Sequence, residues 1–255
     1  MKLWAKAGPQ GNGGLNVKNA MEGLTMVSKE MESRIDKFIA DNRQNIVNDI
    51  AALVNIKSVS QACDNPQAPY GEGCRKVLDK ALQMCEQMGF ATKNYDYYAG
   101  SAAYGSGEKE IALLGHLDVV PEGDGWSHDP YDMIEKDGYI YGRGVADDKG
   151  PTVLGLYALK CMKDFGIQPN YTFRLVMGCS EETGLSDMPH YLSAEKAPAL
   201  AFTPDADFPA CIGEKGQLSV AIELAVDGTT ITAFICGPVG NAVCASVTAC
   251  PQGVT

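Results

Sequence analysis

Between residues 111 and 202 the chain alternates short apolar runs of strand length with stretches of helical period, and this alternation restricts its fold more than any other feature. Residues 111–114, 139–141, 171–177 and 199–202 read as strands. Residues 149–165 read as a helix, and 184–193 as a short one in which Pro189 is tolerated only near the first turn. Strands alternating with helices build an α/β domain around a largely buried sheet. Reactive residues in such sheets lie at strand ends and in the loops that follow them.

The flanks read differently. Ser28 caps a helical pattern through Met31, Ile35, Phe38 and Ile39, which Ile46, Ile50, Leu53 and Val54 continue. A second helix is expected over 73–88, with Val77, Leu78, Ala81, Leu82 and Cys85 on one face and Gly89 at its stop. Residues 1–25 include Gly8, Gly11, Gly13 and Gly14 without a sustained apolar period, and read as a disordered tail. From about Gln217 strands at 218–224 and 230–235 are followed by Gly- and Cys-rich sequence, the start of a second sheet-containing domain. The expected division is a tail over 1–25, a main domain over 26–216 and the beginning of another over 217–255.

Charge narrows the partners. A net charge of −11 argues against nucleic acid or an anionic membrane, both of which favour a basic surface. No apolar run approaches the roughly 18 residues that span a bilayer, and the N-terminus has no signal-peptide core. The nine cysteines are scattered, odd in number and without a C-x-x-C pair, so reduced thiols in the cytoplasm are the expectation.

Four sites carry possible chemistry, each with a plainer reading beside it. In Leu114-Gly115-His116-Leu117-Asp118, alternation places His116 and Asp118 on one side, as in a metal-bound histidine braced by a carboxylate; a lone histidine near an apolar strand can equally be structural. The stretch from Gly142 through Asp147-Asp148-Lys149-Gly150 lacks the G-K-[ST] of a phosphate loop, and its paired acids suit a cation or a helix cap. Glu181-Glu182 follows a strand, where one carboxylate can bind metal while the other serves as a base; a surface charge pair is the alternative. Cys179 as a nucleophile has no evident histidine to activate it. Pro204-Asp205 is a carboxylate past a strand, or a turn.

In order and spacing, Gly115-His116-Leu117-Asp118-Val119-Val120-Pro121, Gly142-Arg143-Gly144 through Asp147-Asp148-Lys149-Gly150, Glu181-Glu182-Thr183-Gly184 and Pro204-Asp205 resemble the di-zinc aminoacylase and dipeptidase family of peptidase clan MH. The PepV-type dipeptidases are the most similar branch. Trp126 with Asp129-Pro130, and Gly213-Glu214-Lys215-Gly216, belong to the same likeness, which spans roughly residues 26–241. The resemblance implies an α/β zinc-peptidase-like domain with a mixed sheet flanked by helices, incomplete here, followed by the start of an α+β lid domain. It implies that His116, Asp147 and Asp205 ligate one zinc, and that Asp147 bridges to a second zinc, which Glu182 also ligates. Glu181 would be the general base acting on a water between the ions, Asp118 would orient His116, and the Asp147–Asp148 peptide would be cis.

The implied reaction is hydrolysis of a dipeptide amide bond, the dipeptide being the expected partner. Deacylation of N-acyl amino acids or desuccinylation is the alternative within the family, and a non-catalytic metal-binding remnant the alternative outside it. Family members are longer, and their catalytic domain resumes after the lid to supply a last histidine to the second zinc. His128 and His190 occupy positions that the family does not use as ligands. Three protein ligands for one zinc, and only Asp147 and Glu182 for the other, lead to an expectation of about one tightly held ion and little activity for this chain. Manganese or cobalt would suit the same donors.

Overall fold

The computed structural model of the protein describes residues 2–4, 27–206, 211, 233–236 and 247–250. In chain order the elements are β1 (Lys2–Trp4), α1 (Lys29–Val54), α2 (Glu72–Gln87), β2 (Ala91–Tyr95), β3 (Ala99–Tyr104), β4 (Glu110–His116), β5 (Ile134–Lys136), β6 (Tyr139–Tyr141), α3 (Lys149–Asp164), β7 (Thr172–Gly178), α4 (Asp187–Ala194), β8 (Leu200–Thr203), β9 (Ala233–Cys236) and β10 (Val247–Cys250). Six strands form the main sheet in the order β1-β8-β4-β7-β3-β2. β4 runs parallel to β7 and β8, whereas β1, β2 and β3 join antiparallel. The expected mixed sheet flanked by helices is present.

Period-two alternation divides the sheet between two cores. Leu113, Leu175 and Met177 face one side, where Leu53 and Val54 of α1, Val77 and Leu78 of α2, and Val153 and Leu156 of α3 cover them. Ala112, Val176 and Ala201 face the other, against Tyr191 and Met188 of α4. Leu78 is fully enclosed, a burial that contributes about 1.5–3 kcal/mol. Ser28 caps α1 as expected, its hydroxyl accepting the N–H of Met31 at 3.2 Å. Gly89 follows α2 and donates its N–H to the Glu86 carbonyl at 2.8 Å. Pro189 falls in the first turn of α4, where its missing N–H has no helical partner to lose.

Two features depart from the sequence reading. The hairpin β2–β3 was not foreseen; its turn uses Asp96 and Tyr97 at positive φ (51° and 61°) rather than glycine. Lys2–Trp4, within the stretch read as a tail, pairs antiparallel with β8, Leu3 opposite Phe202. Residues 5–26 lie outside the described residues, as do the expected strand at 218–224 and the segment 213–216. β9 overlaps the strand expected at 230–235 and pairs with β10. None of the described helices is long and apolar enough to cross a membrane.

Candidate metal centre

Register assembles the site. His116, the last residue of β4, pairs with Gly178, the last of β7, while β8 ends alongside at Thr203. The loops after all three parallel strands therefore leave from one sheet edge. α3 begins at the same edge, and the Asp148 carboxylate before it accepts the His116 backbone N–H and the Thr152 hydroxyl, both at 3.1 Å. The 142–150 turn packs tightly: Gly144 sits at φ +90°, where a Cβ would crowd Lys149 and Val119, and a side chain at Gly150 would meet the Val145 carbonyl. The Asp147–Asp148 peptide is cis, as expected.

His116 is almost fully enclosed, 3% exposed. Its Nδ1 lies 2.9 Å from the Asp118 carbonyl oxygen, which can only accept, so Nδ1 donates. That leaves Nε2 toward Asp147 Oδ1 at 3.0 Å and Asp205 Oδ2 at 3.8 Å. The donor atoms of His116, Asp147 and Asp205 lie within 4.8 Å of one another. An imidazole nitrogen and two carboxylate oxygens converging without a cation between them need a positive charge there, either a proton or a metal. Burial pushes the His116 imidazolium down, but Asp118, Asp147 and Asp205 more than reverse it, so its proton is held well above the ordinary range. The donor chemistry fits a divalent cation such as zinc, and a cation would take that proton's place.

The two glutamates stand on the loop after β7. Their backbone N–H groups donate to Asp118, Glu181 to Oδ1 and Glu182 to Oδ2, each at 3.1 Å. Burial raises the Glu181 carboxyl, and burial followed by the Asp147 charge raises Glu182 to about 7. Burial likewise lifts Asp148 to about 7. Asp118 thus does more than the bracing expected of it. Its main-chain carbonyl makes the shorter contact to His116, and its carboxylate, 3.4 Å from Nδ1, holds the glutamate loop.

Other candidates fall away. Cys179 is fully buried, and burial drives its thiol well up, which suits a structural residue and not a nucleophile. His128 lies beside Trp126, and His190 stacks on Tyr98 and pairs with Asp96 at 3.0 Å, so neither joins the cluster. A cavity of about 500 Å³ opens beside the site, with His116, Glu181 and Asp205 at one end and Leu114, Met188 and Leu192 along its wall. A larger one, about 710 Å³, between the 63–69 loop and the β2–β3 turn contains none of these groups. Sequence reasoning missed Asp187 and the partners of Lys149. Asp187 accepts the N–H groups of Cys179 and Ser180, and Lys149 Nζ donates to the carbonyls of Leu53 and Ile56 at 3.0 and 2.8 Å.

The chain is also similar to known proteins. The chain is 35% identical over 202 residues to the Beta-Ala-Xaa dipeptidase of Lactobacillus delbrueckii subsp. lactis, covering 78% of this chain and 43% of that protein. It spans about two fifths of the length of the curated relatives it matches. Human carnosine dipeptidase 1 shares the fold at TM-score 0.55 and 23% identity, over 64% of this chain and 38% of that one. The dipeptidase Dug1p from Saccharomyces cerevisiae does so at 0.52 and 21%, over 64% and 37%. A family model matches residues 112–246, from the strand that carries His116 to beyond the loop that carries Asp205, and the chain belongs to peptidase family M20/M25/M40.

Proposed function

We propose that this chain carries the metal-binding and general-base half of a dipeptidase, of the PepV-type branch, that hydrolyses the amide bond of small dipeptides in the cytoplasm. The convergence of His116 Nε2 with the Asp147 and Asp205 carboxylates supports this reading most directly. These three would hold one ion, and Asp147 with Glu182 would hold a second more weakly. Zinc is the preferred occupant, with manganese and cobalt as substitutes. A bound divalent cation lowers the pKa of water and polarises the substrate carbonyl. Nδ1–H of His116, fixed on the Asp118 carbonyl, leaves Nε2 as the atom that would face the ion, which would displace the proton held there. Glu181 stands off the cluster and receives the proton of the attacking water at its carboxylate. Its raised affinity for protons matches that task, since a base works best with a pKa nearer neutrality. Residues 26–216 form the catalytic portion in this reading, and 217–255 begin the lid.

The assay pairs metal analysis after dialysis with hydrolysis of a dipeptide panel that includes β-alanyl dipeptides, the class named for the Lactobacillus relative. The expected result is about one tightly held ion per chain, lost in His116→Ala. Glu181→Ala should keep that ion and lower hydrolysis by about 10²–10⁴-fold. Hydrolysis at the wild-type rate in Glu181→Ala, or full metal retention in His116→Ala, would sink the proposal. Faster release from N-acyl amino acids than from dipeptides would move the reading to a deacylase.

A further inference from the structure

Four consecutive backbone amides, from Cys179 to Glu182, direct their N–H groups at two carboxylates. Asp187 Oδ2 accepts those of Cys179 at 2.7 Å and Ser180 at 2.9 Å. Asp118 accepts those of Glu181 and Glu182, one on each oxygen, at 3.1 Å. Both acids are 0% exposed. Hydrogen bonds to an ionised acceptor are stronger and more directional than those between neutral groups, so the pair fixes the path of the loop rather than merely satisfying it. The strand end leaves room for this. A Cβ on Gly178 would sit 2.5 Å from Asp187 Oδ2, and Gly178 is the only residue type that admits the carboxylate there.

We propose that Asp187 is a positioning residue for Glu181 and Glu182: with Asp118 it clasps the four amides and sets where the two glutamates stand beside the metal cluster. The proposal rests on the reading of Glu181 as base. Asp187 is not one of the clustered metal donors, and although it lines the cavity beside them, its Oδ2 is engaged by the backbone of 179–180, through which it acts on the loop. It is also the first residue of α4, where a carboxylate favours the helix N-terminus, so a purely helix-stabilising role is the rival explanation. The two differ in what asparagine can replace. Only Oδ2 accepts the two amides, and Oδ1 makes no well-aligned hydrogen bond among the described residues, although the Met188 N–H also faces the carboxylate. Asparagine with its carbonyl oxygen at the Oδ2 position therefore preserves both bonds, while the charge favoured by the helix is lost.

The test compares Asp187→Ala, Asp187→Asn and Gly178→Ala with the wild-type chain by amide hydrogen exchange and by dipeptide hydrolysis in the presence of zinc. Asp187→Ala should speed exchange at 179–182 while α3 stays protected, and should lower kcat by about 10–100-fold with KM little changed, as expected when a reacting group is displaced by a fraction of an ångström to an ångström. Gly178→Ala should reproduce both effects, because its methyl evicts the carboxylate without removing it. Asp187→Asn should restore most of the loss in each readout. Wild-type exchange at these amides in Asp187→Ala, faster exchange with unchanged kcat, or an Asp187→Asn chain as impaired as Asp187→Ala would each overturn the proposal. A failure of the base reading shows separately, as hydrolysis retained in Glu181→Ala, and leaves the exchange result to decide the clasp.

Discussion

Asp118 serves two neighbours with different parts of one residue. Its main-chain carbonyl takes the His116 Nδ1 proton, and its side-chain oxygens take the amides of Glu181 and Glu182. Asp118→Asn should separate these duties, because the carbonyl remains while an NH₂ group faces a backbone N–H that needs an acceptor. Metal affinity is then expected to fall by less than the about tenfold usual when a ligand histidine loses its outer partner, whereas hydrolysis falls further. Equilibrium dialysis beside the dipeptide assay reads both, and equal losses in the two would refute the division. At this scale the sequence was most informative where a residue type is scarce and its chemistry narrow. His116, Asp147 and Asp205 stand together as the family resemblance implied. Asp187 was invisible because a carboxylate that accepts main-chain N–H groups leaves no mark in its partners' identities.

Among the elements, those built on apolar period were legible. α2 buries Val77, Leu78, Ala81, Leu82 and Cys85, the face expected of it, and α3 begins at Lys149 as the pattern required. The β2–β3 hairpin was not, since β3 runs through Ala, Gly and Ser before its one aromatic residue, Tyr104, and β2 offers only Thr92 and Tyr95 among the residues that betray a strand. Helix ends show the same limit. The last turn of α1 has no basic residue of its own, and Lys149, from the start of α3, reaches across to the carbonyls of Leu53 and Ile56. A cation near a helix C-terminus is favourable, and this side chain, whose pKa burial lowers to about 7, also ties the Asp147 turn to α1 through its N–H donors. Lys149→Met keeps the buried stem and removes the donor, and is expected to cost about 1–3 kcal/mol. A urea melt would register this as a lowered midpoint with an unchanged slope; an unchanged midpoint would show the tie to be idle.

Across the molecule, the α/β class followed from alternation alone, whereas the strand order did not, because β7 sits between β4 and β3 and no local signal encodes that insertion. The pairing of His116 with Gly178 in the parallel β4–β7 ladder has a consequence for how the chain reaches its native state. Residues from distant parts of the sequence meet only after β4, β7 and β8 have aligned, and non-local parallel pairing is the slow part of such folding. The ion can therefore bind only a chain that has already crossed its barrier. Zinc is expected to slow unfolding while leaving the refolding rate unchanged, and to add about 2.7 kcal/mol at a hundredfold excess over its dissociation constant. Stopped-flow refolding with and without zinc distinguishes this from the converse, in which the metal gathers its ligands early and quickens the search. On this register an ion held there would be a lock on a finished fold, not the seed from which it grows.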